Sequence, residues 1–206
     1  MKKVLLLGAS GTAGKAITKR LTSNKNLELT LFSRHAKETF SHIENGSIIN
    51  GDALIPADLD AAMTGQDVVY CAISGNDLPQ IAKNIVTAMQ KHHLRRLIFM
   101  GAVGIYNEIP DEMDGEDNVK NEPAQIPNQK AADIVEGSDL DYTILRPGYL
   151  QDGTAQDYVL TVKGEPAKGY ITTIPSLVDF AEKLILDDSL YVGESVSITR
   201  DWRKGE

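Results

Sequence analysis

Four aliphatic residues, Val4-Leu5-Leu6-Leu7, run into Gly8-Ala9-Ser10-Gly11-Thr12-Ala13-Gly14, and a segment with helical spacing follows at once. A continuous apolar run without alternation is what a strand buried on both faces of a parallel sheet requires. Glycines at the next bend let the backbone turn tightly and approach a pyrophosphate, whose charge the helix N-terminus and its free N–H groups receive. Ala13, Ala16, Ile17 and Leu21 then fall on one stripe of a helix expected over residues 12–23. The order is GxxGxxG rather than GxGxxG. It is not an ATP-binding loop, since Lys15 follows Gly14 with no Ser or Thr after it to hold Mg²⁺. Strand, glycines and helix in this order read as a dinucleotide cradle.

The rest of the chain repeats the alternation. Strands are expected at residues 29–32, 47–50, 67–72, 95–100, 142–145 and 195–199, and helices at 54–64, 77–91, 130–135 and 176–186. Each parallel strand needs a crossover to bring the chain back, so the fold class is α/β. The expectation is a Rossmann-like, doubly wound, mainly parallel sheet of six or seven strands flanked by helices. Without a flexible linker, residues 1–206 read as a single NAD(P)-binding domain, with 151–206 as a small substrate-side part and 151–175 as its flap.

Charge and cysteine usage narrow the partners. With 21 basic against 29 acidic side chains, the chain lacks the Lys/Arg surface that neutralises phosphates, so no nucleic acid is expected. One cysteine, Cys71, cannot form an internal disulfide, and no Cys/His cluster has metal-ligand spacing. The apolar run after Lys2-Lys3 is too short for a signal peptide, whose apolar region needs about 7–15 residues. No stretch reaches the ~20 apolar residues of a membrane span. A cytoplasmic protein acting on a small molecule is the expectation, with no membrane partner. Residues 108–117 carry Glu108, Asp111, Glu112, Asp114, Glu116 and Asp117 without a basic residue among them. They read either as a solvated acidic loop or as a lid that disfavours anions.

The end of the second strand selects the cofactor. An NAD-preferring enzyme places Asp or Glu about 20 residues after the glycines, on the ribose 2′-hydroxyl. This chain has Phe32-Ser33-Arg34-His35. Arg34 suits a 2′-phosphate through a bidentate, charge-assisted pair, and Ser33 adds a hydroxyl. NADP(H) is therefore expected over NAD(H).

With these residues the chain resembles the atypical short-chain dehydrogenase/reductase family, in its NAD(P)H-binding branch with NmrA-like and biliverdin/flavin-reductase-like members. The likeness includes residues 8–14, Ser33-Arg34, Gly51-Asp52, Arg95-Arg96-Leu97-Ile98-Phe99 and Asp141-Tyr142-Thr143-Ile144-Leu145-Arg146-Pro147-Gly148. It implies that Gly8, Ser10, Gly11, Thr12, Ala13 and Gly14 bind the pyrophosphate, and that Asp52 with Ala53 reaches the adenine. It places Ala72, Ile73 and Ser74 under the ribose and phosphates and Pro147 and Gly148 near the nicotinamide, and it counts Gly101 and Ala102 among the cofactor-binding residues. Lys130 matches the family's catalytic Lys, in a role that here reduces to holding ribose hydroxyls, or else is an exposed helix lysine.

The departure lies at the centre of the chemistry. Alcohol-oxidising and sugar-epimerising members use Ser, Tyr and Lys, the last two as Tyr-x-x-x-Lys. Four residues before Lys130 this chain has Ile126, and the Ser position reads Met100-Gly101-Ala102. Tyr106 is the nearest phenol in sequence; the loop tyrosine reads first as packed or surface-exposed, and otherwise as a phenol that swings in. A carbonyl reduced to an alkoxide needs a positioned acid. Without one, the expected activity is NADPH-dependent reduction of a conjugated acceptor, a quinone or a flavin, which delocalises the charge itself. The alternative is an NADP(H)-binding, redox-sensing regulatory protein of NmrA-like type, with a protein partner and no turnover. A sugar-nucleotide epimerase or dehydratase is disfavoured by Ile126.

Overall fold

Apolar residues of the first strand point alternately to two cores, and this sets the architecture. In the computed structural model, which describes residues 1–113, 115–154 and 157–204, that strand is β1 (Lys2–Leu7). Its last four residues are wholly buried. The chain continues through α1 (Thr12–Leu21), β2 (Leu27–Ser33), the one-turn α2 (Ala36–Thr39), β3 (Gly46–Asn50), α3 (Pro56–Met63), β4 (Val68–Cys71), α4 (Leu78–Lys91) and β5 (Arg96–Met100). After a long connection come α5 (Ile126–Glu136), β6 (Asp141–Pro147), β7 (Tyr149–Gln151), β8 (Val159–Val162), β9 (Ile171–Thr173), α6 (Ile174–Leu186) and β10 (Glu194–Thr199).

The main sheet has the order β3-β2-β1-β4-β5-β6-β10-β8, and β7 pairs with β9 in a second, two-stranded sheet. Every pairing in the main sheet is parallel except β8 on β10. The chain winds outward from β1 to β3 and then crosses to β4 on the other side of β1. Between β1 and β4 the winding reverses, which opens a crevice at the carboxyl ends of those strands.

Two cores follow from the strand alternation. Leu5 and Leu7 pack with Leu59 and Met63 of α3, Ile85 and Met89 of α4, and Ala131 and Val135 of α5. Val4 and Leu6 pack on the opposite side with Ile17 and Leu21 of α1 and Leu177, Phe180 and Leu184 of α6. Each fully buried side chain of this size contributes roughly 1.5–3 kcal/mol over its exposed state. Proline near the first turn of α3, α4, α5 and α6 starts those helices where the missing N–H is not needed.

Three expectations need correction. The sheet has eight strands, not six or seven, because Val159-Leu160-Thr161-Val162 adds an antiparallel edge to β10. Residues 151–206 are consequently more than a substrate-side appendage, since β8, α6 and β10 complete the sheet and one of its layers. The helix expected at 130–135 begins earlier, at Ile126, so Lys130 sits in its second turn rather than at its start.

Among the described residues, no helix is long and apolar enough to cross a membrane, and no group of three or more His, Cys, Asp or Glu could hold a metal ion. Cys71 is fully buried in β4, and burial pushes its thiol up to about 12. A thiol so protonated is a poor nucleophile. Native protein at pH 8 should therefore resist iodoacetamide, and mass spectrometry should find Cys71 alkylated only after denaturation. Rapid modification of the folded protein would contradict the burial.

Candidate functional site

The bend after β1 depends on two of its glycines for different reasons. Gly8 has φ +80°, where L side chains are strained, and a Cβ there would lie 2.9 Å from the Ala72 backbone. Gly14 sits inside α1, where a Cβ would stand 2.2 Å from the Gly8 carbonyl oxygen and 2.8 Å from Ala9 Cα. A side chain at position 14 would thus push helix and bend apart. Gly11, the residue before α1, is extended, and no side chain caps the helix. The first turn carries no acidic residue. Its N–H groups and the helix dipole favour an anion at this end.

The bend opens onto a cleft of about 290 Å³ at the crossover between β1 and β4. Ten of the residues singled out from the sequence line it: Gly8, Ser10, Gly11, Ser33, Arg34, Asp52, Ala53, Ala72, Ile73 and Ser74. Thr12, Ala13 and Gly14 stand behind it as the first residues of α1. Phe32, which precedes Ser33, also lines the cleft, as do Leu54, Asn76, Asp77 and Ile81, which no sequence motif marks. Phe32 lies against Gly51 so closely that a Cβ at Gly51 would stand 2.3 Å from its ring.

One wall of the cleft carries an unsatisfied polar group. Ser33 is 8% exposed, and its Oγ has no hydrogen-bond partner among the described residues. Buried hydroxyls are nearly always paired, so an orphan on a cleft wall marks a place for a polar ligand atom. Arg34 beside it is exposed and forms no ion pair among the described residues. An orphan hydroxyl, a free guanidinium and a glycine cradle with an uncapped helix fit a phosphorylated dinucleotide.

Beside Ser33, whose carbonyl accepts from Gly51 N at 3.1 Å, the turn after β3 is built around Asp52. Its Oδ1 accepts from Leu54 N at 3.0 Å, its carbonyl accepts from Ile55 N at 2.9 Å, and its N–H donates to Asp58 Oδ2 at 2.9 Å. Asn84 of α4 donates Nδ2–H to the carbonyls of Ala53 at 3.0 Å and Leu54 at 3.2 Å. Asn84 gave no signal in the sequence, where a polar residue on a helix reads as solvated.

The remaining named residues lie outside this cleft. Gly101 donates its N–H to the Leu145 carbonyl at 2.9 Å, and Val103, after Ala102, donates to Pro147. Gly148 donates to Thr172 Oγ1 at 2.8 Å, and a Cβ there would meet the Tyr170 carbonyl oxygen at 2.1 Å. These residues cluster at the carboxyl ends of β5 and β6. Lys130 is exposed on α5 and makes no ion pair among the described residues. Ile126 at the start of the same helix is 39% exposed.

Tyr106 is committed elsewhere. Its hydroxyl donates to Glu136 Oε1 at 2.7 Å and lies 3.2 Å from Ser195 Oγ. Burial, aided by Glu136, raises its pKa above the usual phenol value. Below its ring the Arg146 guanidinium, 0% exposed, donates to Glu108 and to Ser195 Oγ. The acidic loop is therefore corrected on one point: Glu108 has a basic partner, supplied by β6, and is nearly buried. Asp111 pairs loosely with Lys120 at 3.8 Å, and Asp114 lies outside the described residues. The loop is also stapled from within. Buried Asn118 accepts from Ile109 N at 3.1 Å and donates to Ile109 O at 2.7 Å, while Val119 N donates to Gly104 O.

Comparison with known proteins agrees with this geometry. A family described as NAD(P)H-binding matches residues 8–188. The chain is 34% identical to a Rossmann-fold NAD(P)-binding family protein from Shigella flexneri, covering 97% of this chain and 94% of that one, with a TM-score of 0.85. A short-chain dehydrogenase/reductase from Veillonella parvula, solved in complex with NADP, shares the fold at 23% identity and a TM-score of 0.86, with 97% and 94% covered. An anaerobillin reductase from Escherichia coli shares it at 18% identity and a TM-score of 0.80, with 97% of each chain covered. Comparison with curated proteins gives no match. Glycine cradle, crossover cleft and family match agree: the chain belongs to the NAD(P)H-binding family and has a Rossmann fold.

Proposed function

We propose that the protein is an NADPH-dependent oxidoreductase that reduces a conjugated acceptor such as a quinone or a flavin. The observation that carries this reading is the lack of a proton donor where the alcohol-forming relatives keep one. Ile126 and Ala102 stand at those positions, and the Tyr106 hydroxyl is engaged by Glu136. Carbonyl reduction without a positioned acid forfeits a factor of roughly 10²–10⁴. A conjugated ring spreads the arriving charge over itself and collects protons from water. It asks of the protein chiefly that it stack in hydride-transfer geometry.

Each part of the chain has a distinct task in this reading. Gly8, Gly11 and Gly14 with the N-terminus of α1 receive the pyrophosphate, helped by Ser10, Thr12 and Ala13. Ser33 and Arg34 hold the 2′-phosphate, and Asp52 with Ala53 holds the adenine. Ala72, Ile73 and Ser74 lie along the ribose and phosphates, Lys130 meets ribose hydroxyls, and Gly101, Ala102, Pro147 and Gly148 border the nicotinamide. When bound, the dinucleotide supplies the hydride. The shared fold with a protein solved with NADP and with an anaerobillin reductase supports both halves of the proposal.

Equilibrium titration tests the cofactor half. NADPH should bind tighter than NADH, and Arg34→Ala should weaken NADPH roughly 10- to 100-fold, the worth of charge-assisted hydrogen bonds. NADH binding should be untouched. Tighter NADH binding by the wild type would refute the role given to Arg34. For turnover, NADPH oxidation is followed with quinones and flavins; tight binding without turnover on any of them would put the redox-sensing regulator ahead.

A further inference from the structure

The turn beside Ser33 is held by a residue on a different element. Ala53 is 4% exposed, so its carbonyl cannot turn to bulk water and needs a partner inside the protein. That partner is the Asn84 side-chain amide, which also reaches the Leu54 carbonyl. Asn84 is itself oriented by Gln80, one turn earlier on α4, whose Nε2–H donates to Asn84 Oδ1 at 2.9 Å. Its other bonds run from Gly51 N to the Ser33 carbonyl, from Asp52 N to Asp58 Oδ2, and from Leu54 N and Ile55 N back to Asp52. Both ends of the turn are therefore fixed, one by Asp58 of α3 and the other by Asn84 of α4.

We infer that Asn84, oriented by Gln80, is a positioning residue for the adenine end of the dinucleotide, acting through the Asp52–Leu54 turn. The inference rests on the placement of the adenosine in the cleft proposed above. With its two carbonyls drawn to α4, the turn presents Asp52 and Ala53 as cleft wall. Without the amide, the buried Ala53 carbonyl is left unpaired, and the turn must rotate to recover a partner. Asp52 and Ala53 then move together, because Leu54 N and Ile55 N bond back to Asp52. The pyrophosphate cradle belongs to β1 and α1 and makes none of these bonds.

The test compares a cofactor that has adenine with one that does not. NADPH and reduced nicotinamide mononucleotide are titrated against wild type, Asn84→Ala and Gln80→Ala, with thermal melts to confirm folding. Asn84→Ala should weaken NADPH about tenfold, the scale set by two ordinary hydrogen bonds, and leave the mononucleotide unchanged. Gln80→Ala, at an exposed position that should leave the fold intact, should give a smaller loss in the same direction. With a turnover assay, the loss should appear in KM for NADPH and not in kcat. Unchanged NADPH affinity in a folded variant overturns the role of Asn84 alone. Equal losses on both ligands overturn it too, as general loosening of the fold. Wild type that binds NADPH no tighter than the mononucleotide overturns the adenosine placement, and this inference with it.

Discussion

Glu108→Ala should destabilise the protein by about 3–5 kcal/mol, the usual consequence of removing one member of a buried ion pair. Arg146 has no access to water, and burial lowers its pKa, with Glu108 the leading opposing influence. The substitution leaves that guanidinium with Ser195 Oγ and the Ser195 carbonyl as its remaining close partners. It also removes the acceptor of the Tyr106 N–H. At this chain length the loss corresponds to a fall in Tm of roughly 6–20 °C. Scanning calorimetry checks it. The double variant Glu108→Leu/Arg146→Met should recover most of the stability, because the main penalty is the uncompensated charge rather than the lost attraction. A shift below 2 °C for the single variant would mean that water reaches Arg146 freely.

Gly14→Ala has the second large effect, and it should fall on binding more than on folding. The new Cβ meets backbone on two sides, at Gly8 O and Ala9 Cα, and neither can swing away as a side chain tip would. Overpacking of this kind costs about 1–3 kcal/mol, which a chain of this size tolerates. The relief, however, is to move α1 away from the bend, which separates the helix N-terminus from the Gly8 backbone. NADPH affinity should drop more than about 100-fold, as two or more charge-assisted contacts are lost together. Gly11→Ala is the control. Its Cβ would lie 3.4 Å from Gly8 O, an ordinary contact, so melting should be close to wild type. Wild-type NADPH affinity in Gly14→Ala would sink the account of the cradle.

The parts of this molecule that the sequence announces are those whose physics is local. Gly8 needs a backbone conformation other residues avoid, and Gly14 lies where even one carbon is too many, so both stand out as letters. Ser33 and Arg34 are legible because they end a strand whose place in the winding is fixed. Asn84 and Glu108 are not legible, because each acts on a group about thirty or more residues away, reached only once the sheet has assembled. The edge strand β8 is a different case. Its run of β-branched and aliphatic residues before Gly164 is a strand signal, but the surrounding turn residues make the whole stretch read as a flap. The start of α5 is hidden for a similar reason, as Pro127 breaks the apolar spacing while fitting the helix's first turn.

The excursion between β5 and α5 has a thermodynamic side. Asn118 closes it on itself, and Glu108 clamps it to Arg146, which in turn holds the start of β10 through Ser195. A surface loop normally opens for little free energy and exchanges its amide hydrogens early. Here, opening the excursion strips a buried cation of its counter-charge, so the amides near Glu108 should exchange together with those of β6 and β10, which hydrogen exchange read by mass spectrometry checks. Asp111, Glu112, Glu116 and Asp117 stay exposed as composition suggests, while Glu108 ties their loop to the core.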